Sequence, residues 1–277
     1  MLHKELKELR QLLNTVDTDV STVTIIGGHG RNGVPEPIRE VELKMGDVVS
    51  IVGPTGSGKT TLINDIELLA NRNTPTGRQI LINGEIPPTI YRKDPAHNPI
   101  ALITQHTNFL SDLPVHKFLE THARIRQKNP LEVIENVIHF ANQLTGEPIN
   151  QECRMTELSG GQTRALLIAD ATVICDTPIV LLDEVENAGI HRTKALQLLK
   201  QHHKIFIFVT HDPRIVLLSD FRIVMREGTM VEMLRTSEEE RELSGGVCGL
   251  DDRLAFLREK LRLGKRLFAP DLEEAIP

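Results

Sequence analysis

Hydrophobic positions near the start of the chain alternate as they do in strands and then change to helical spacing. β-branched residues over Val23–Ile26 and the alternation over Ile38–Leu43, separated by a glycine-rich turn, predict a small antiparallel sheet. The apolar run Asp47–Val52 predicts a buried strand, and the spacing of apolar residues over Thr60–Ala70 predicts a helix. The pattern therefore predicts antiparallel strands followed by a strand, a glycine-rich loop and a helix.

Helical and strand patterns alternate through the rest of the chain. Residues 111–157 are predominantly helical in pattern and predict a helical insert. The later predicted elements are a helix at Gly161–Ile174, a strand at Ile179–Leu182, a helix at Thr193–Gln201 and a strand at Ile205–Val209. Buried strands that alternate with helices indicate an α/β fold, in which a mostly parallel sheet is covered on both faces.

Both ends of the chain are predicted to be helical. Leucines at helical spacing from Leu2 to Leu13 predict an amphipathic helix in residues 1–18, which we expect to pack or to make a dimer contact. Residues 236–277 are predicted to form a helical extension, with a charged stretch before a helix from Asp251 to Leu267. The basic and leucine-rich face of that helix suits an anionic membrane surface, or packing on the chain's own core or on a partner.

Composition narrows the class of protein. With 277 residues, 40% hydrophobic and 25% charged, the chain resembles a soluble globular protein of one or two domains. The formal charge of -6 disfavours nucleic acid as the main ligand, because most nucleic-acid binders need positive charge. The cysteines indicate neither disulfides nor a zinc site and favour a cytoplasmic setting. No apolar run approaches the ~18 residues of a membrane span, so another subunit must provide any crossing.

A glycine-rich loop follows the predicted strand that ends at Val52. It matches the phosphate-binding pattern G-x-x-x-x-G-K-[ST] with Gly53, Pro54, Thr55, Gly56, Ser57, Gly58, Lys59 and Thr60. Glycines let backbone N–H groups surround a phosphate at a helix N-terminus, which adds partial positive charge. Lys59 is predicted to reach the β- and γ-phosphates and the Thr60 hydroxyl to bind Mg²⁺, while Thr61 is predicted to bind the same nucleotide.

Two carboxylates follow the buried strand Ile179–Leu182. Asp183 is predicted to bind the Mg²⁺ shell, and Glu184 is predicted to polarise the attacking water as a general base. Acidic residues often follow apolar strands, so this pair alone does not indicate catalysis. The phosphate-binding loop upstream is what supports the catalytic interpretation.

The sequence Leu158–Gln162 precedes a predicted helix and resembles the signature of ATP-binding cassette (ABC) ATPases. The resemblance implies that Ser159, Gly160, Gly161 and Gln162 hold the γ-phosphate of a nucleotide bound by the opposite subunit. It covers roughly Val20 to Leu234, with five motifs in the family's order. The physical basis is sound, because a helix N-terminus preceded by small residues forms an anion cradle.

Several further roles are implied by the resemblance alone. Gln105 would sense Mg²⁺ and the attacking water, and His211 would contact the γ-phosphate. The implied cofactors are ATP and Mg²⁺, and the implied assembly is a homodimer or a heterodimer with another ABC ATPase subunit. The fold class is then a P-loop NTPase core with an antiparallel β subdomain and a helical insert. The ABC ATPase domain would span residues 19–235, between the two terminal segments.

The chain departs from the family pattern at two places. The upstream aromatic residue that usually stacks on adenine is replaced by His29, so the preference for ATP over GTP is open. The loop Val185–Ile190 lacks the family's Pro-Thr and ends in Ile190 instead of aspartate, which leaves communication between the sites open. A second signature-like sequence, Leu243–Gly246, and the pair His202–His203 are interpreted as having no ligand-binding role.

Three functions are compatible with these motifs. The first is the nucleotide-binding subunit of a membrane transporter, held at the inner face of the membrane by a permease. The second is a soluble ABC ATPase that assembles or remodels a client protein, such as a metalloenzyme maturation factor. The third is a dimer switch that binds nucleotide without turnover. The transported substrate, the direction of transport and the partner are not encoded in these motifs.

Overall fold

The computed structural model describes residues 20–94, 97–104, 106–126, 128–145, 147–184 and 192–274. The predicted helix in residues 1–18, the predicted ligand Gln105 and the loop Val185–Ile190 lie outside these ranges.

Strands and helices alternate over most of the described chain. The strands are β1 (Thr22–Ile26), β2 (Glu40–Lys44), β3 (Val48–Val52), β4 (Gln79–Ile82), β5 (Ile100–Thr104), β6 (Ile179–Asp183), β7 (Ile205–Val209), β8 (Phe221–Arg226) and β9 (Thr229–Arg235). The helices are α1 (Lys59–Glu67), α2 (Ile90–Lys93), α3 (Val115–Ile125), α4 (Pro130–Leu144), α5 (Gly160–Ala169), α6 (Arg192–Lys200), α7 (Pro213–Leu218), α8 (Glu238–Arg262) and α9 (Ala269–Glu274).

The larger sheet of the described residues has the strand order β5-β6-β7-β3-β8-β9. Its neighbouring strands from β5 to β8 are parallel, and β9 is antiparallel at the edge. β7 is buried along its whole length, and β3 and β6 are buried up to their last residue. This burial explains their continuous apolar runs and confirms the predicted α/β fold with a mostly parallel sheet.

The smaller sheet is antiparallel, with the order β2-β1-β4. β1 pairs with β2 from Thr22 opposite Lys44 to Ile26 opposite Glu40, as the alternating pattern predicts. β4 was not predicted, and it pairs with the other edge of β1. This sheet and α1 contribute to one hydrophobic core, while α3, α4 and α5 contribute to a second on the other side of the larger sheet.

Arg78, directly before β4, is fully buried and joins three parts of the fold. Its guanidinium donates to the two Glu36 oxygens at 2.7 and 3.0 Å, to Asp65 Oδ2 at 2.9 Å and to the Gly228 carbonyl at 2.8 Å. Burial alone would lower the pKa of Arg78, but contact with Glu36 and Asp65 raises it above its ordinary value. Because Asp65 lies on α1 and Gly228 joins β8 to β9, Arg78 links the smaller sheet to both sides of the phosphate loop.

Helices occupy the segment predicted as an insert. α3 and α4 lie within residues 111–157, and α4 packs against both α3 and α5. α5 continues directly into a π-helical segment, Asp170–Ile174. The predicted helix Gly161–Ile174 is therefore α-helical in its first part and π-helical in its last five residues. His202 packs edge-on against Phe140 with ring centroids 4.8 Å apart, which gives this histidine a packing role.

The C-terminal helix differs from its prediction. α8 spans Glu238–Arg262, so the predicted helix from Asp251 to Leu267 is wrong at both ends. A capping box explains the early start: Ser237 Oγ accepts from the Glu240 N–H, and the Glu240 carboxylate accepts from the Ser237 N–H, both at 3.1 Å. The helix ends before Gly264, whose φ is 70°. Leu243–Gly246 lies inside α8, where helix hydrogen bonds occupy its N–H groups.

Candidate functional site

The carboxyl ends of neighbouring parallel strands gather most predicted site residues at one edge of the larger sheet. β3 ends at Val52, immediately before the phosphate loop. The register aligns Ile51 of β3 with Val209 of β7, and Val209 with Asp183 of β6. The phosphate loop, Asp183 and the residues after Val209 therefore follow the same edge, which is where ligands bind in open α/β sheets.

Two positions of the phosphate loop have backbone geometry that requires glycine. A Cβ atom on Gly53, which has φ of 151°, would lie 2.4 Å from the Met225 carbonyl oxygen. A Cβ atom on Gly58, which has φ of 100°, would lie 2.9 Å from the Gly228 Cα. β8 and the turn after it therefore press against the loop and fix its path.

The start of α1 carries several groups that can donate hydrogen bonds to a phosphate. Lys59 is buried, and its Nζ folds across the loop to the Gly53 and Pro54 carbonyls at 2.8 and 3.1 Å. The α1 N-terminus has no side-chain cap and no acidic residue in its first turn, so its partial positive charge is uncompensated there. The buried Ser57 Oγ has no hydrogen-bond partner among the described residues. These groups fit a bound phosphate chain.

Asp183 and Glu184 are half-buried at the end of β6. The Glu184 N–H donates to the Val209 carbonyl at 3.0 Å, and Glu184 has φ of 50°. Residues other than glycine rarely adopt this left-handed backbone conformation, and such backbone strain often accompanies functional sites. The sequence gives no sign of this conformation. The Thr60 hydroxyl and the Asp183 carboxylate are oxygen ligands of the kind that Mg²⁺ prefers.

His211 is exposed in the turn after β7. The backbone is fixed on both sides, because the Thr210 N–H donates to the Ile51 carbonyl at 3.3 Å and the Asp212 carboxylate caps α7 through the Arg214 N–H at 2.9 Å. His211 is therefore presented from a rigid turn at the edge that also carries the phosphate loop.

The signature residues form the N-terminus of α5. Ser159 Oγ accepts from the Gln162 N–H at 3.3 Å, and Gln162 Oε1 accepts from the Ser159 N–H at 3.0 Å. Ser159 and Gly160 are exposed, and Gly161 is half-buried. None of these residues lines either of the two cavities beside the phosphate loop. The signature residues therefore occupy an exposed helix end, away from the phosphate loop of the same chain.

A cavity of about 440 Å³ lies beside the start of α1. His29, Thr61 and Thr76 are among its lining residues, and the His29 N–H donates to the Thr76 carbonyl at 2.8 Å. His29 and Thr61, which were both predicted to bind the nucleotide, line the same cavity. The cavity is large enough for part of a nucleotide beyond its phosphates.

Arg31 was not predicted as a site residue. It lies two positions after His29, and its Nη2 donates to the Gly56 carbonyl of the phosphate loop at 2.9 Å. It lines both this cavity and a second one of about 420 Å³, which Pro54, Gly56 and Ser57 also line. The sequence signal for Arg31 was its position in the same glycine-rich turn as His29, because an arginine guanidinium can bind phosphate through two hydrogen bonds.

Comparison with known proteins identifies the family. The fold and the phosphate loop define a P-loop nucleotide-binding protein, and residues 39–187 match the family model described as ABC transporter. The chain belongs to the ABC transporter family. An uncharacterized ABC transporter ATP-binding protein of Methanocaldococcus jannaschii is 49% identical over 254 residues, which cover 92% of this chain and 97% of that protein.

More distant relatives and solved structures agree. The spermidine/putrescine import ATP-binding protein PotA of Bacteroides fragilis is 31% identical over 200 residues, 70% of this chain and 42% of PotA. The structure of cbiO1 from Clostridium perfringens has a TM-score of 0.59 at 19% identity and covers 89% of this chain and 100% of its own. A dimeric ATP-binding cassette bound to ADP and Pi has a TM-score of 0.57 at 23% identity, over 78% and 99% of the two chains. These structures support the fold alone.

None of the helices in the described ranges combines the length and the apolar character needed to cross a lipid bilayer.

Proposed function

We propose that this chain binds and hydrolyses MgATP as a head-to-tail dimer and energises a membrane transporter as its nucleotide-binding subunit. The observation that carries the proposal is the uncapped N-terminus of α1, which begins at Lys59 directly after a loop that only glycine can follow at Gly53 and Gly58. A triphosphate would accept hydrogen bonds from the backbone N–H groups of this loop and from the Lys59 ammonium, which would explain a glycine-rich loop that leads into an uncapped helix N-terminus.

The phosphate grip would be assembled from groups that already lie together. Lys59 would leave the Gly53 and Pro54 carbonyls and turn its Nζ toward the β- and γ-phosphates. The Gly56, Ser57 and Gly58 backbone would follow the phosphate chain, and Thr61 would lie toward the sugar. Mg²⁺, held by the Thr60 hydroxyl and Asp183, would supply positive charge against the developing charge on the phosphates. The family also assigns Gln105 to this shell.

Glu184 would act as the general base. Its carboxylate follows the Mg²⁺ ligand Asp183 directly, and its left-handed backbone is fixed by the hydrogen bond to Val209. A carboxylate held in this way can accept a proton from water while the water attacks the γ-phosphate. His211, in the turn after the neighbouring strand β7, would contact the same phosphate. Catalysis then depends mainly on position and charge neutralisation.

The dimer would complete each site with the signature of the opposite subunit. In the proposed arrangement, Ser159, Gly160 and Gly161 at the α5 N-terminus meet the γ-phosphate bound by the other chain, and Gln162 holds Ser159 in place. Loss of the γ-phosphate would then open the pair. The second chain is a copy of this one or a related ABC subunit, and the permease would be a separate protein at the membrane.

Base recognition would use the cavity beside His29 and Thr61. The imidazole offers less stacking area than a tyrosine, so we expect a smaller preference for ATP over GTP than an aromatic residue would give. Comparing ATP and GTP turnover in the unmodified chain and in His29→Ala tests this. Equal loss with both nucleotides would show that His29 does not discriminate between bases.

Phosphate release from MgATP tests the proposed chemistry. Glu184→Gln keeps the shape of the side chain but removes the base, so turnover should fall about 100-fold or more while ATP still binds. Glu85→Gln, in an exposed turn, is the matched control and should be unchanged. Full turnover in Glu184→Gln would exclude Glu184 as the base. Background turnover in the unmodified chain would instead favour a switch that does not turn over.

Purification of the tagged chain from the cells that naturally produce it tests which class of partner protein it binds. Recovery of a multi-spanning membrane protein supports the transporter role, and recovery of a soluble client without one supports a remodelling role.

A further inference from the structure

Six apolar residues of α8 lie on one line along the helix, and none of the six is buried. Consecutive members are four, three, four, three and four positions apart: Leu243, Val247, Leu250, Leu254, Leu257 and Leu261. We name this set the α8 seam. The spacing repeats every seven residues, which is the period of two helices that wind around each other. At 1.5 Å per residue the α8 seam is about 27 Å long.

The α8 seam is exposed although α8 itself is anchored. Four of its leucines are 50–60% exposed: Leu243, Leu250, Leu254 and Leu261. Two ion pairs hold the helix to the protein: Asp251, beside the seam, pairs with Arg214 at 2.6 Å, and Glu240, before the first seam residue, pairs with Arg222 at 2.7 Å. The described chain thus fixes a leucine row in place and covers none of it fully, which is unfavourable for a chain that stays alone.

We propose that the α8 seam pairs with the α8 seam of a second copy of this chain, in antiparallel orientation. Antiparallel pairing about a two-fold axis near Asp252 puts Leu243 opposite Leu261, Val247 opposite Leu257 and Leu250 opposite Leu254. Every seam residue then meets another seam residue, as the self-complementary surface of a two-fold dimer requires.

Charge favours the second copy and the antiparallel direction. The first turn of α8 is acidic and its last turn is basic: Glu238, Glu239 and Glu240 against Lys260 and Arg262. Antiparallel pairing brings each acidic end beside a basic end and opposes the two helix dipoles. A lipid surface of negative charge would attract one end of α8 and repel the other, so it fits this helix less well.

The positions that flank the α8 seam also favour this direction. In a parallel pair, Arg253 would face Arg258 of the second copy, which places like charges beside the seam. In the antiparallel pair, Arg258 faces Ser244 and Lys260 faces Gly246, which leaves room for the long side chains. Near the axis Asp251 and Arg253 meet their own counterparts. Asp251 is neutralised by Arg214, and the one Arg253–Arg253 contact replaces the two Arg253–Arg258 contacts of a parallel pair.

The α8 contact is independent of the proposed ATP-dependent dimer. It uses no residue of the phosphate loop or the signature, so it should hold two chains together without nucleotide. The two assemblies can therefore be separated experimentally by working with and without ATP.

Sedimentation of the nucleotide-free full chain at micromolar concentration tests the pairing. The unmodified chain should be a dimer, and Leu250→Glu/Leu254→Glu should be monomeric, with dimerisation weakened roughly a hundredfold or more because carboxylates would be buried in the seam. Phe256→Glu is the matched control, since Phe256 is 42% exposed on the same helix but off the seam, and it should remain dimeric. Lys59→Ala should also remain dimeric. Far-ultraviolet circular dichroism equal to that of the unmodified chain, with a cooperative urea transition, would show that each variant is folded.

Four results would overturn the proposal. The first is a monomeric nucleotide-free chain, and the second is a double variant that is as dimeric as the unmodified chain. The third is a monomer that binds phosphatidylglycerol vesicles through the α8 seam. A full-length chain that dimerises only after Leu6→Glu/Leu9→Glu would also overturn it, because the N-terminal leucines would then be the occupant.

Disulfide formation between single cysteines tests the direction. In a background with Cys153, Cys175 and Cys248 changed to serine, a mixture of Leu250→Cys and Leu254→Cys chains should crosslink with each other far faster than either crosslinks with itself. Preferred crosslinking of Leu250→Cys with itself would indicate a parallel pair and contradict the proposal.

Discussion

Replacing the buried arginine behind the phosphate loop should damage the fold more than most single substitutions. Arg78→Met keeps much of the volume but removes the only guanidinium among the described residues that contacts Glu36 and Asp65, which are 5% and 3% exposed. Breaking one side of a buried ion pair costs about 3–5 kcal/mol.

The hydrogen bonds that Glu36 and Asp65 keep in Arg78→Met determine where in this range the loss of stability falls. Glu36 still accepts from the Gly28 and Met230 N–H groups at 2.8 and 2.6 Å, and Asp65 still accepts from the Thr76 hydroxyl at 2.8 Å. Because each carboxylate keeps a hydrogen bond, we expect the lower end, about 3 kcal/mol.

Urea unfolding at constant nucleotide and protein concentration measures this loss. Arg39→Met, at an exposed position directly before β2, is the matched control and should change the free energy of unfolding by less than about 0.5 kcal/mol. Adding Glu36→Gln to Arg78→Met should recover part of the loss, because a neutral amide costs less to bury. A loss below about 1 kcal/mol for Arg78→Met would refute the assigned role of this network.

Three further predictions concern single positions. Gly58→Ala should weaken ATP binding about tenfold or more, because its Cβ would lie 2.9 Å from Gly228 Cα in a strained backbone; unchanged affinity by calorimetry would contradict this. Gly245→Ala should stabilise the chain by about 0.5–1 kcal/mol in urea unfolding, since Gly245 lies inside α8 and a Cβ there meets nothing within 4 Å; a loss of stability would count against it. The Asp170 carboxylate, 2.9 Å away, and then Cys175 raise the pKa of His122 from 6.5 to about 10. Protonated His122 therefore stabilises the fold fully below pH 6.5, and this stabilisation is lost as pH rises through 10. The stability difference from His122→Asn should shrink over that range, and a constant difference would exclude the effect.

Short-range patterns predicted the parts of the fold that depend on neighbours in sequence. The apolar runs of β3, β6 and β7 were readable because these strands are almost wholly buried, so no polar face interrupts them. The phosphate loop and the signature were readable because their glycines and small residues are contiguous. β8 was missed, although its residues alternate between buried and half-buried or exposed positions.

The features that were missed depend on distant contacts or on local geometry. The burial of Arg78 depends on Glu36, Asp65 and Gly228, which come from separate segments of the chain. In the sequence, Arg78 therefore cannot be distinguished from a surface arginine. The left-handed φ of Glu184 follows from its hydrogen bond to β7, which sequence spacing does not encode. The start of α8 was missed because Gly245, Gly246 and Gly249 obscured the helical pattern, although the Ser237–Glu240 capping box was a usable signal.

The central claim is that ATP joins the phosphate loop of one chain to the signature of another. The measurement that tests it most directly is the mass of Glu184→Gln chains that also carry Leu250→Glu/Leu254→Glu, so that α8 pairing does not contribute. Saturating MgATP should convert this protein from monomer to dimer with two nucleotides bound per dimer, and a further Ser159→Glu substitution should prevent the conversion. A protein that stays monomeric with ATP bound would contradict the account.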